Sequence, residues 1–230
     1  MGVTIGLGRA LVIMTSGNKT LYDAIVAGDA RTAVTATRAA LGEGVDPVEL
    51  VSRHMIPAMD EVGRLFECEE YFVPELLLAS RAMKGALDLV RPLLAASGVE
   101  PVGRVVIGTV MGDLHDIGKN LVASMLEGAG FEITDLGADV LPARFIQAIH
   151  EKKADIACLS ALLTVTMPAM RDTIEAICRA GIRDRVKVLI GGAPVTQQYA
   201  DEIGADGYSD NASGAVALAR KLVGISIPPS

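Results

Sequence analysis

Asp113 and His115 stand two residues apart in Gly112-Asp113-Leu114-His115-Asp116-Ile117-Gly118, a stretch with glycine at both ends. A neutral imidazole nitrogen is a good donor to a transition metal of intermediate softness. A carboxylate two residues earlier can accept a hydrogen bond from the other ring nitrogen, which fixes the tautomer and makes the ligand more basic. Taken alone, a histidine in such a loop is more often a turn or capping residue than a metal ligand. Spacing changes that reading. The Asp-x-His-x-x-Gly piece is followed, after the 41 positions 119–159, by Ser160-Ala161-Leu162, and after the 28 positions 163–190 by Gly191-Gly192. The last pair lacks Cβ atoms, so backbone there can approach a flat ligand closely. His54, on an expected helix, and His150, beside Glu151 and Lys152, have no such company and read as structural.

The segments that must hold these residues follow two grammars. Residues 19–97 are rich in Ala, Leu, Met and Val and read as four helices. The first covers about 20–27 and stops at Gly28; the second runs from Asp29, an N-cap, to about Leu41. Asp46-Pro47-Val48-Glu49 supplies an N-cap, a first-turn proline and a capping-box glutamate for the third. Its stripe is Val51, Met55, Ala58, Val62 and Leu65. Pro74 opens the fourth, with Leu76, Met83, Leu87, Val90 and Leu94 as the matching stripe and a kink expected at Pro92. Residues 98–103, small and proline-bearing, read as a linker. Residues 104–225 then alternate apolar strand runs with helical stretches: 104–110, 131–136, 155–160, 186–190 and, more weakly, 207–209. That alternation predicts a five-stranded doubly wound parallel sheet, flavodoxin-like or Rossmann-like, beside the helical bundle. With strand order 2-1-3-4-5, the three motif pieces gather at the ends of strands one, three and four, next to the topological switch point where ligands enter such sheets.

Composition narrows the partners. The chain has 230 residues, 50% of them hydrophobic, and a net charge of −7. That length suffices for one large or two modest packed domains, and the acidity argues against a sequence-tolerant grip on nucleic acid. Cys68, Cys158 and Cys178 are an odd number without a Cys-x-x-Cys pair, which reads as core thiols in a reducing compartment. Residues 1–18 read as a loose tail or an early start, because the apolar stretch Ala10-Leu11-Val12-Ile13-Met14 is short for a secretory signal. No run approaches the roughly 20 apolar residues of a membrane-spanning helix, so a cytoplasmic location is expected.

With all three pieces in register, residues 19–223 resemble the corrinoid proteins of cobalamin-dependent methyltransferase systems of the methylamine, methanol or O-demethylase type. They are also similar to the cobalamin-binding module of methionine synthase. The resemblance implies cobalamin bound with its dimethylbenzimidazole tail off cobalt and His115 in its place. It puts Gly112, Asp113, Asp116, Ile117, Gly118, Leu162, Gly191 and Gly192 beside the cofactor, with Gly118 leaving room beside the displaced tail. Thr166 continues the Asp113–His115 relay where serine is common in relatives, and Ser160 and Thr164 are hydroxyl partners of the tail. Asp116 and Lys119 either solvate the loop or contact corrin side chains and phosphate. Phe72 either lies over the upper corrin face, shielding a cobalt-bound methyl, or packs the bundle core.

The same resemblance implies a carrier subunit rather than a complete enzyme. Cobalt in the Co(I) state takes a methyl group from a substrate-specific corrinoid methyltransferase. As methyl-Co(III) it yields that methyl to an acceptor methyltransferase acting on tetrahydrofolate or a thiol coenzyme, with a reductive activase as a further partner. Methylamines, methanol, aryl methyl ethers and betaines are donors in such systems. His115 would bind in one state and leave in the other, with proton uptake by the His115–Asp113 pair, and the helical cap would swing about residues 97–103. A cobalamin-binding sensor or regulatory module, an adenosylcobalamin mutase subunit and a signalling receiver are the alternatives. A regulator would normally add a basic DNA-binding segment, a mutase would depend on a large catalytic barrel, and a receiver would make the spacing coincidence.

Overall fold

The computed structural model describes residues 16–225; the tail expected over the first eighteen residues lies largely outside them. Helices come first: α1 (Ser16–Val26), α2 (Ala30–Gly42), α3 (Pro47–Leu50), α4 (Ile56–Glu67) and α5 (Val73–Ala96). Asp29 caps α2, accepting from the Thr32 N–H at 3.0 Å. Between α1 and α2, Gly28 takes φ +71°, and a Cβ there would lie 2.6 Å from Leu78 Cβ, so only glycine permits the turn against α5.

The third helix departs from expectation. Asp46 caps α3 as expected, accepting from the Val48 N–H at 3.1 Å, but Glu49 lies 3.4 Å from Arg53. Residues Val51–Met55 then form a π-helical turn before α4 begins. The Ile56 N–H reaches back five residues to the Val51 carbonyl. Pro57 explains this: it has no N–H for the Arg53 carbonyl and its ring crowds that carbonyl, which widens the helix locally. The stripe survives, since Met55, Ala58, Val62 and Leu65 are all buried. Helix α5 runs on through Pro92 to Ala96.

The rest is a five-stranded parallel sheet in the order β2-β1-β3-β4-β5, with β1 Arg104–Thr109, β2 Glu132–Asp135, β3 Ile156–Ser160, β4 Lys187–Gly191 and β5 Gly207–Tyr208. Both faces are covered, as an all-parallel sheet of apolar strands requires. Helices α7 (Pro142–Lys152), α8 (Pro168–Arg179) and α9 (Gln197–Ile203) cover one face, burying Phe145, Ile149, Ile174 and Ile177 against Val106, Ala157 and Val188. Helices α6 (Ile117–Gly128) and α10 (Ala212–Leu222) cover the other, and the helical bundle packs outside them.

A single apolar core therefore runs from Leu21 and Met83 of the bundle through Leu126 and Ala219 to Ile107 and Leu189 of the sheet. Polar ties reinforce this junction. Glu127 of α6 holds Lys84 at 3.0 Å and Arg91 at 2.7 Å, both from α5, and Arg220 of α10 holds Asp60 of α4 at 2.7 Å. Burial pushes the Glu127 carboxyl up, but the hydrogen bonds and charges of Arg91 and Lys84 outweigh that and hold it below its ordinary value. Within the connecting residues 97–103, the Val102 N–H already donates to Gly130 and the Gly103 carbonyl accepts from Glu132. Of the cysteines expected in the core, Cys158 alone is buried; Cys68 and Cys178 are exposed, Cys178 because it follows the buried Ile177 onto the outer side of α8. Among the described residues no helix is long and apolar enough to cross a membrane.

Candidate functional site

Strand β1 ends at Thr109, and its pairing with β3 brings Thr109 beside Ser160 at the carboxyl edge of the sheet. The chain then turns through 110–116 before α6 begins at Ile117. Gly112 makes the turn at φ +84°, and its N–H donates to Asp139 Oδ1 at 2.7 Å. The Asp139 N–H in turn donates to the Asp113 carbonyl at 2.9 Å, and the Thr109 hydroxyl donates to the His115 carbonyl at 2.9 Å. The loop is thus clamped from both flanks by residues whose roles no local motif reveals. Asp139 carries one recognisable mark: it sits at φ +55°, a conformation that Asp tolerates better than most residues.

Inside this loop, Asp113 is fully buried and its carboxylate is saturated. Oδ1 accepts from the His115 N–H at 3.0 Å and lies 2.7 Å from His115 Nδ1. Oδ2 accepts from the Leu162 N–H at 2.8 Å, the Leu163 N–H at 3.3 Å and the Thr166 hydroxyl at 2.7 Å. The Leu163 carbonyl is also within 2.8 Å of that hydroxyl, yet it already accepts from the Thr166 N–H. The single hydroxyl proton therefore goes to the charged acceptor. Burial pushes the Asp113 carboxyl up, but the bonds from Thr166, the His115 and Leu162 backbone and the His115 ring outweigh it and hold it well below the usual carboxylate range.

The tautomer of His115 follows. An ionised carboxylate only accepts, so Nδ1 carries a proton, and in the neutral imidazole Nε2 is the nitrogen left with a lone pair. The His115 side chain is 50% exposed and lines a cavity of about 610 Å³. That cavity lies between the sheet and helices α6 and α10, and it gathers the three motif pieces: His115, Asp116, Ile117 and Gly118 from the first, Ser160, Ala161 and Leu162 from the second, and Gly191 and Gly192 from the third. Phe66 and Val73, from the bundle, face the same space. A larger hollow of about 780 Å³ at the β5–α10 edge is a shallow depression without His115 or the Asp113 network, and the chemistry assigns function to the first.

The remaining expected residues divide. Gly118 faces open space, so a side chain there would project where the cavity is needed. Gly192 is different: at φ +131° its Cβ would fall 1.9 Å from the Ala161 carbonyl oxygen, so the protein's own backbone at the end of β3 demands glycine there. Asp116 sits at the start of α6 and accepts from Asn120 at 3.1 Å. Lys119 is buried and ion-paired with both oxygens of Asp135 on β2. Thr164 is exposed and does not line the cavity. Phe72 is 62% exposed at the N-cap of α5, with its N–H bonded to Glu75 at 2.9 Å; it is not packed in the bundle core, and it is Phe66 and Val73 that line the cavity.

This donor set fits a corrinoid. Among the described residues there is no group of three or more His, Cys, Asp and Glu placed to hold a metal ion. A metal at His115 would have one protein ligand there and would bring the rest with its own macrocycle. The cavity also has the volume and apolar walls to receive a detached nucleotide base.

Known proteins resemble both halves of the chain. The B12 binding domain family matches residues 103–217, and a second family of the same description matches residues 18–91. The chain is 45% identical over 191 residues to dimethylamine corrinoid protein 1 of Methanosarcina acetivorans, spanning 83% of this chain and 89% of that one. It is 43% identical over 203 residues to trimethylamine corrinoid protein 1 of the same organism, spanning 87% and 94%. It is also similar to a chain in the crystal structure of the methanol:cobalamin methyltransferase complex from Methanosarcina barkeri, with TM-score 0.81 and 27% identity over 90% of this chain and 79% of that one. With cobalamin as the cofactor of its B12 binding domain, the chain belongs to the corrinoid proteins of cobalamin-dependent methyltransferase systems.

Proposed function

We propose that this chain is a methyl carrier that loads its cofactor at a substrate:corrinoid methyltransferase and unloads it at a second methyltransferase. The observation that carries this reading is the Thr166–Asp113–His115 relay at the edge of the cavity, which leaves His115 Nε2 as a free donor. When bound, the corrinoid supplies a cobalt nucleophile that takes up a methyl group and gives it away. The protein's residues do the rest. His115 would hold the cobalt through Nε2, while Asp113 holds the proton on Nδ1 and Thr166 keeps Asp113 oriented. Ile117, Leu114 and Leu162 give the mouth an apolar rim, and Phe72, exposed at the start of α5, is the bundle aromatic proposed to shield the bound cofactor.

The two most informative relatives by name are corrinoid proteins for dimethylamine and trimethylamine, which supports a methylated amine as donor. Tetrahydrofolate or a thiol coenzyme is the proposed acceptor, a reductive activase the proposed third partner, and the cytoplasm the proposed location. We also propose that the helical and sheet halves are separate units which part about residues 97–103 to admit the partner enzymes. That opening has to break the Glu127 and Arg220 ion pairs.

Reconstitution with hydroxocobalamin beside His115→Ala tests the reading. A spectrum of cobalamin with its own base detached that depends on His115, followed by methylation with methyl iodide after reduction, is expected. Retention of that spectrum by His115→Ala would remove the ligand assignment, and failure to bind any corrinoid would remove the carrier role.

A further inference from the structure

The cavity has two chemical zones, and the sheet register draws the line between them. Ile107, Cys158 and Leu189 are register partners across β1, β3 and β4, so their side chains stand in one row on one face. All three are buried and line the cavity. Two residues further along the strands, on the same face, come Ser160 and Gly191, which are also partners and also line it. Ser209, Asp210 and Asn211 follow β5 and His115 and Asp116 follow β1, so these polar groups stand at the carboxyl edge of the sheet.

Below that edge the walls are Leu121 and Val122 of α6 and Ala215 and Leu218 of α10. Leu218 comes in close because its neighbour on β5 is Gly207, where a Cβ would lie 2.7 Å from Leu218 Cδ2. Lys119 lines the cavity too, but its ammonium is held by Asp135. The one heteroatom of the floor row is the Cys158 thiol, a weak donor and acceptor which burial pushes up to about 12 and so keeps neutral.

We infer that the deep zone formed by Ile107, Cys158, Leu189, Leu121 and Leu218 selects the lower base of the corrinoid, accepting a benzenoid base such as dimethylbenzimidazole and rejecting adenine. This rests on the cofactor reading above and adds to it a choice among corrinoids. The outer edge of dimethylbenzimidazole presents ring C–H and methyl groups, which gain from contact with these side chains. Adenine presents an exocyclic amine and ring nitrogens. On entering, those groups give up water and find at best one thiol, and a buried polar group without a partner is costly.

The experiment is an equilibrium binding series by ultrafiltration on the full chain with three corrinoids in the hydroxo or aquo form: cobalamin, the analogue with adenine as lower base, and cobinamide, which has no nucleotide tail. The adenine form is expected to bind at least about tenfold more weakly than cobalamin, ~1.4 kcal/mol. Cys158→Ser, which adds a hydroxyl at nearly constant volume, is expected to narrow that ratio. Adenine and benzimidazole forms binding within about twofold of each other would overturn the inference. So would cobinamide binding as tightly as cobalamin, since the tail would then contribute nothing, and in both cases a His115-dependent spectrum would leave the carrier reading standing. Failure of all three to bind would overturn both.

Discussion

The Thr166 hydroxyl donates to Asp113 Oδ2 at 2.7 Å across 53 residues of sequence, and the same carboxylate meets His115 Nδ1 through its other oxygen. A buried carboxylate is tolerable in an apolar setting only when its lone pairs are filled, and here five donors fill them. The relay is therefore a rigid part of the fold before any cofactor arrives.

Asp113→Asn keeps the shape but offers the ring one amide oxygen in place of a carboxylate and turns an acceptor into a donor that faces other donors. Corrinoid affinity is expected to fall about 10–100-fold, with the His115-bound spectrum lost in part. Thr166→Val removes one donor and is expected to act in the same direction more weakly, while Thr166→Ser restores the wild-type spectrum. Absorption titrations of the variants check this; an unchanged Asp113→Asn would separate the carboxylate from ligation.

Glycine at 118 and at 192 serves different ends, and substitution separates them. Gly192→Ala drives a Cβ into the Ala161 carbonyl at a positive φ, so the protein without cofactor is expected to lose ~3 kcal/mol of stability. Gly118→Ala meets open space, so its melting temperature should stay near wild type while corrinoid binding weakens. Calorimetry paired with binding reads both at once.

His54 is buried in the π-turn, and its Nδ1 has no hydrogen-bond partner. Burial lowers its affinity for a proton; the nearby Glu49 carboxylate raises it and Arg53 lowers it further. The folded value lies below the unfolded value of ~6.5, so the unfolded chain binds the proton more readily. The stability this contributes is complete above about pH 6.5 and is lost as pH falls below it. Unfolding midpoints measured from pH 7.5 to 5 are expected to decline in the wild type and to decline less in His54→Gln. Parallel profiles would show that this residue does not set the slope.

Glu127 joins the bundle to the sheet half through two cations, and its side chain is 17% exposed. Glu127→Ala leaves Lys84 and Arg91 facing each other without their shared anion. The expected cost is about 1–2 kcal/mol, with faster proteolysis between the two halves. Limited digestion of wild type and variant, with cleavage mapped to residues 97–103, tests whether this contact holds the halves together.

Much of this protein is determined within short windows of sequence. Apolar residues repeating every three or four positions give the helices, β-branched runs separated by helical stretches give the parallel sheet, and Asp29 and Asp46 cap where their neighbours say they should. The glycine and histidine spacing likewise follows from strands that all end at one edge. What no window contains is convergence. The pairing of Asp113 with Thr166, the clamp from Asp139, the row of Ile107, Cys158 and Leu189, and the exposure of Phe72 beside a cavity lined by Phe66 all depend on strand register and on how helices seat against the sheet. Even the π-turn, written locally by Pro57, becomes a buried histidine only because α1 and α5 close over it. Local patterns are selected by the period of burial, one residue at a time; a site is made where separate elements meet, and packing alone decides which side chains those are.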